Sequence, residues 1–150
     1  MAASGPTDLE ALVGLRFPDG SYTITEEEND ALRWIVDAPE LPAGTAHPTW
    51  CHLATHVGKG VTFAEFADLV GSSYDAGFLF GGGSWELVEP LRLGVRYLVR
   101  GGITATEARL GKRSGRFDLI TTELDLVDPD TGLRVATSVE HYVCPREVPA

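Results

Sequence analysis

Hydrophobic and polar positions change rhythm once along this chain, near residue 74: spacings of three and four come before it and alternation after it. "DLEALVGLRF" places Leu9, Leu12 and Val13 on one side of one or two helical turns that Gly14 ends. "GSYTIT" alternates like a short strand. "TEEENDALRWIVD" carries a capping box, Thr25 with Glu28, followed by Ala31, Leu32 and Ile35 at helical spacing. That helix stops near Asp37, because "APELPAGTAHP" contains three prolines and a glycine. Residues 49–57 are helical until Gly58 and Gly60 interrupt them. A second capping box, Thr62 with Glu65, opens a helix whose apolar face is Phe63, Phe66, Leu69 and Val70.

The second half reads as strands. "FLFGGGSWELVEP" enters through a glycine triplet, and "VRYLVRGGITATEARL" alternates or is β-branched over much of its length. "KRSG" is a turn. "RFDLITTELDLVD" then sets Ile120, Thr122, Leu124 and Leu126 on one face. "DPDTG" turns into "LRVATSVEHYVC", where Leu133, Val135, Thr137, Val139 and His141 alternate. Helices first and a run of antiparallel strands afterwards predict an α+β domain.

Composition narrows the possible functions. A chain of 150 residues suits one domain spanning 1–150, with flexible ends at about 1–7 and 145–150. A net charge of −10 repels phosphate backbones and argues against general nucleic-acid binding. No run approaches the roughly 20 apolar residues of a membrane span. The opening "MAASGPTDLE" lacks the blocks of a signal peptide, and two cysteines, Cys51 and Cys144, make no disulfide framework; a cytoplasmic protein is expected.

The candidate chemistry gathers in "HPTWCHLATH", which holds three of the four histidines and one of the two cysteines. His52 and His56 share one helix face, a spacing that holds zinc in some enzymes. Here Leu53 follows His52 where a glutamate base is needed, and no aligned third ligand follows, so no metal or other cofactor is expected. A Cys51 nucleophile paired with a histidine stays open, as does a packed helix with Trp50, Leu53, Ala54 and Val57 in the core. The glycines around Gly82 let the backbone bend sharply or approach a ligand closely.

Several of these stretches together resemble the MaoC-like dehydratases and hydratases of the hotdog fold, specifically the N-terminal-half type of (3R)-hydroxyacyl dehydratases. "YTITEEENDALRWIVD" resembles that family's opening strand and first helix, and "HPTWCHLATHVG" its proline-bearing lead-in to the central helix. The best match runs from "FLFGGGSWELVEPLRLG" through the two last strands, and the resemblance covers most of residues 17–144. It implies a single hotdog domain, a curved antiparallel sheet wrapped around a central helix. It also implies an acyl-thioester ligand, carried on coenzyme A or a carrier protein, and a homodimer or a heterodimer with a catalytic MaoC-like subunit.

One departure bears on function. Active members carry an aspartate and a histidine in a D-x-N-P-x-H segment after the first helix, a carboxylate–imidazole pair able to do acid–base work at neutral pH. Here "WIVD" is followed by "APELPAGTAHPTW", so Asp37 and His47 are only weak candidates for those roles. The resemblance therefore implies a catalytically degenerate subunit whose partner supplies the pair. An active hydratase or thioesterase with a displaced pair, drawing on His47, His52 or Asp37, stays open, as does a non-catalytic ligand-binding dimer. The substrate-binding positions expected are Trp50, Cys51, His52 and Gly82, with free amides near Trp50 and Cys51 as donors to a thioester carbonyl.

Overall fold

The computed structural model describes residues 8–146. A 3-10 turn, Glu10–Leu12, opens it, and Gly14 follows at a positive φ of 89°. β1 (Gly20–Thr23) leads into α1 (Glu26–Ile35), whose N-terminus carries the expected capping box: the Thr25 side chain accepts from the Glu28 amide. Such a cap stabilises a helix by about 1 kcal/mol. Asp37 lies just beyond, in the left-handed region at φ 52°, where the helix has ended. α2 (Trp50–Gly58) and α3 (Phe63–Leu69) follow, the latter opened by the Thr62–Glu65 capping box.

Four long elements complete the described residues: β2 (Leu79–Leu87), β3 (Arg96–Gly111), β4 (Gly115–Val127) and β5 (Arg134–Pro145). Every pairing is antiparallel, in the order β1-β3-β4-β5-β2. The sheet wraps α2, which touches all five strands. This is the hotdog fold that the resemblance implies. No helix among the described residues is long and apolar enough to cross a membrane.

The wrap is tight because α2 ends in glycine. A Cβ on Gly58 would meet Tyr22 Cβ and Val99 Cγ2 at 2.9 Å, and one on Gly20 would lie 1.8 Å from the Gly58 carbonyl oxygen. From β4, Ile120, Thr122, Leu124 and Leu126 face the helix as expected and are all buried. On β5 the helix-facing row is Ala136, Ser138, Glu140, Tyr142 and Cys144, each at 0% exposure. The alternating set that begins at Leu133 is the opposite row, and Leu133 itself is exposed. Phe66 of α3 closes the far end against Phe17, Phe78 and Tyr142, with ring centroids 4.9–5.4 Å apart.

The chain end corrects one expectation. Pro145 belongs to β5, and Arg146 is anchored: its guanidinium donates to Asp118 Oδ2 at 2.7 Å and to the carbonyls of Val70 and Gly71. The remainder of the ends expected to be flexible, 1–7 and 147–150, lies outside the described residues.

Candidate functional site

The start of α2 is closed to ligands. The His47 amide donates to Asn29 Oδ1 at 2.8 Å and the Thr49 amide to His47 Nδ1 at 3.2 Å. Those of Trp50, Cys51 and His52 donate to the carbonyls of His47, Pro48 and Thr49, each at 3.0 Å. The expectation of free amides near Trp50 and Cys51 is therefore overturned: a tight turn before the helix consumes them. Trp50 is buried and stacks on Tyr22 at 5.8 Å, and its Nε1 finds no partner among the described residues. Cys51 is fully buried, its Sγ directed at the Thr137 carbonyl, and burial and the Glu140 charge push its thiol up to about 11. A thiol held protonated and out of reach is no nucleophile.

One turn further on, α2 meets β5. Glu140 lies in the helix-facing row, and four side chains surround its carboxylate. His52 Nδ1 lies 3.0 Å from Oε1, and the Ser138 hydroxyl donates to the same oxygen at 3.2 Å. The Tyr142 hydroxyl donates to Oε2 in a short hydrogen bond. His56 Nδ1 stands 3.2 Å from the Tyr142 hydroxyl and 3.6 Å from Oε2. Burial favours the neutral acid at Glu140, but the hydrogen bonds from His52, His56 and Tyr142 and the charge of His52 outweigh it. They hold the carboxyl well below its usual range. Burial, then the charge and hydrogen bond of Glu140, push the Tyr142 phenol well above its ordinary value.

These directions fix the protons. An ionised carboxylate only accepts, so His52 Nδ1 carries hydrogen. Tyr142 spends its single proton on Glu140, so its oxygen accepts from His56 Nδ1–H. Each ring thus engages Nδ1 and leaves Nε2 without a hydrogen-bond partner among the described residues. Their side chains are 18% and 31% exposed, half-open to solvent. Beside His52 stand the rings of Phe80 and Trp85 on β2, at 5.0 and 5.5 Å. Carboxylate, oriented imidazole and free nitrogen make an arrangement that can take a proton from water or from a substrate and return it.

The other sequence candidates do not join this cluster. Asp37 is exposed and lies beyond the end of α1, whereas Asn29, which holds the His47 amide, lies within that helix. No hydrogen bond or ion pair links Asp37 with His47 among the described residues. Gly82, at φ 151°, follows a bulge in the β2–β5 pairing between Phe80 and Gly82, and it bends the edge strand. His141 points to the opposite sheet face, against Thr121 Oγ1 at 2.9 Å. No group of three His, Cys, Asp or Glu side chains among the described residues is arranged to hold a metal ion.

Sequence reasoning missed Glu140 and Tyr142. The available signal was a lone charge in the row Ala136, Ser138, Tyr142, Cys144, which is otherwise small or apolar. Aligned on Pro48, the D-x-N-P-x-H motif sets Thr45 at the aspartate and Trp50 at the histidine. Thr45 and Pro48 line a mainly apolar cavity of about 380 Å³, together with Leu41, Ala46, Leu87 and Leu91.

No protein-family model matches the sequence, and no curated protein matches it. Solved structures do share its fold. The chain is similar to the ChsH1–ChsH2 complex of Mycobacterium tuberculosis, with a TM-score of 0.69 and 12% identity over 97% of this chain and 96% of that one. It is also similar to the HadBC (3R)-hydroxyacyl-ACP dehydratase complex of the same organism, with a TM-score of 0.58 and 16% identity over 85% and 92%. The R-hydratase PhaJ1 of Pseudomonas aeruginosa gives a TM-score of 0.58 and 12% identity over 92% and 90%.

Proposed function

We propose that this chain is a MaoC-like hotdog subunit that binds acyl-thioesters and works in a (3R)-hydroxyacyl dehydratase or enoyl hydratase assembly with a second hotdog unit. The observation that carries this reading is the residue pair standing where the motif needs its aspartate and histidine. Thr45 has no ionisable group, and Trp50 is packed into the core against Tyr22. The family's own acid–base pair is absent from this chain, and the partner unit carries it.

Two further features support the reading. The cavity beside Thr45 and Pro48 is apolar and of a size to take a short acyl chain. Among the described residues β2 ends the sheet with an unpaired edge, and Leu79, Phe80 and Trp85 on it are 39–49% exposed. An apolar, unprotected edge invites strand pairing with a second unit. Two of the similar structures are complexes by name, which agrees with pairing. Both cysteines are free, which suits the reducing cytoplasm.

The test is coexpression with hotdog proteins that carry an intact D-x-N-P-x-H segment, followed by native mass and hydration of crotonyl-coenzyme A. A stable complex whose turnover exceeds the sum of the separate subunits supports the reading. Absence of both complex and turnover refutes it.

A further inference from the structure

Glu140 is an expensive residue to place where it is. A carboxylate at 0% exposure loses its hydration, and a pair of buried charges seldom stabilises a fold better than apolar side chains of the same volume. Four neighbours on two elements are nevertheless committed to it: Ser138 and Tyr142 from its own strand, His52 and His56 from α2. Their combined effect is to hold Nδ1 and the direction of two imidazoles and leave Nε2 of each without a hydrogen-bond partner among the described residues. Among the described residues no free nucleophile shares the site. Ser138 is fully buried with its hydroxyl on Glu140, and Cys51 is buried against Thr137. The cluster is therefore built for moving protons.

We infer that His52 is an acid–base residue of this chain's own, acting at Nε2 on an enoyl- or 3-hydroxyacyl-thioester, with Glu140 as its positioning residue and Tyr142 and His56 holding Glu140 in place. The substrate class rests on the acyl-thioester reading above; the residue assignment rests on the network. In the hydration direction, a water oxygen bonds to C3 while its proton passes to His52 Nε2. The C2=C3 electron pair moves onto the thioester as an enolate, and the imidazolium then returns the proton to C2. Water is added, nothing is oxidised and the imidazole ends as it began; dehydration is the reverse. The rings of Phe80 and Trp85 on β2 flank His52.

The test uses the chain in its assembly with a motif-bearing partner and reads the turnover of crotonyl-coenzyme A in excess of that of the partner alone. His52→Gln is expected to lower kcat by about 100-fold or more with little change in KM, and to remove the limb of the pH–rate profile set by protonation of the base. Glu140→Gln is expected to lower kcat while histidine nitrogen NMR shows His52 losing its Nδ1–H tautomer. Asp37→Asn leaves both measurements unchanged. Where a variant fails to fold, the wild-type ring resonances decide, since saturating crotonyl-coenzyme A is expected to shift His52 Nε2. Full turnover in a folded His52→Gln protein, or an unmoved His52 ring at saturation, overturns the inference and leaves the functional reading standing. An assembly that neither binds nor hydrates the probe overturns that reading, and the base assignment falls with it.

Discussion

The His52 ring on α2 and the Glu140 carboxylate on β5 are 88 residues apart in sequence and meet with Nδ1 3.0 Å from Oε1. The contact links the central helix to the strand next to the free sheet edge, so it is structural as well as chemical. Removing one member leaves the others buried without a partner, and the cost follows from that asymmetry.

Glu140→Ala is expected to destabilise the protein by about 3–5 kcal/mol, because the donors of His52, Tyr142 and Ser138 lose their acceptor. Glu140→Gln keeps the shape and one acceptor oxygen and is expected to cost about half as much or less. Urea unfolding midpoints of the two variants check the order. An alanine variant as stable as the glutamine variant contradicts the network.

The same carboxylate sets a pH dependence. Its folded-state value is depressed below the ordinary value of 4.5, so its contribution to stability is fully present above that value. The contribution is lost as pH falls through the depressed folded value. The stability gap between wild type and Glu140→Gln is therefore expected to be full at pH 7 and to shrink steadily in strong acid. A gap that widens on acidification has the wrong sign for this arrangement.

How legible all this was in the sequence depended on range. Both capping boxes, the end of α1 near Asp37 (observed at Ile35) and the α2 boundary within a residue were readable, because turns of three and four residues decide them. The helix-facing row of β4 was readable because, between residues 120 and 126, the apolar residues Ile120, Leu124 and Leu126 all fall on one side. β5 was not, because both its rows mix apolar and polar residues, and pairing with β4 and β2 decides which row meets α2. A one-residue change of register exchanges the rows, and with them Glu140 and His141. His52 was singled out from the sequence; its partner was hidden by that register. The free amides expected at Trp50 and Cys51 failed for a local reason: the turn through His47 and Pro48 uses them before the helix begins.

The two cysteines give a separate check on packing. Cys51 and Cys144 are fully buried, and burial raises both thiols, Cys51 to about 11. Neither is expected to react with iodoacetamide at pH 8 in the folded protein, and both are expected to react in concentrated urea. Rapid alkylation of Cys51 in the native state contradicts the placement of α2 against β5.

Assembly is tested at the edge strand. Trp85 is 47% exposed on β2, large and apolar, so Trp85→Glu is expected to leave the chain folded. The same change is expected to weaken association by roughly 30-fold or more, the scale of an interface aromatic. Circular dichroism and light scattering report the two effects separately. An unchanged native mass removes β2 from the interface.

The measurement that tests the central claim most directly is hydration of crotonyl-coenzyme A by this chain with a coexpressed motif-bearing hotdog partner, set against each subunit alone. The predicted result is a stable complex with turnover at least about tenfold above the sum of its parts, a gain of about 1.4 kcal/mol in transition-state stabilisation. A complex that forms but hydrates no faster than the partner alone contradicts the claim that this chain handles acyl-thioesters.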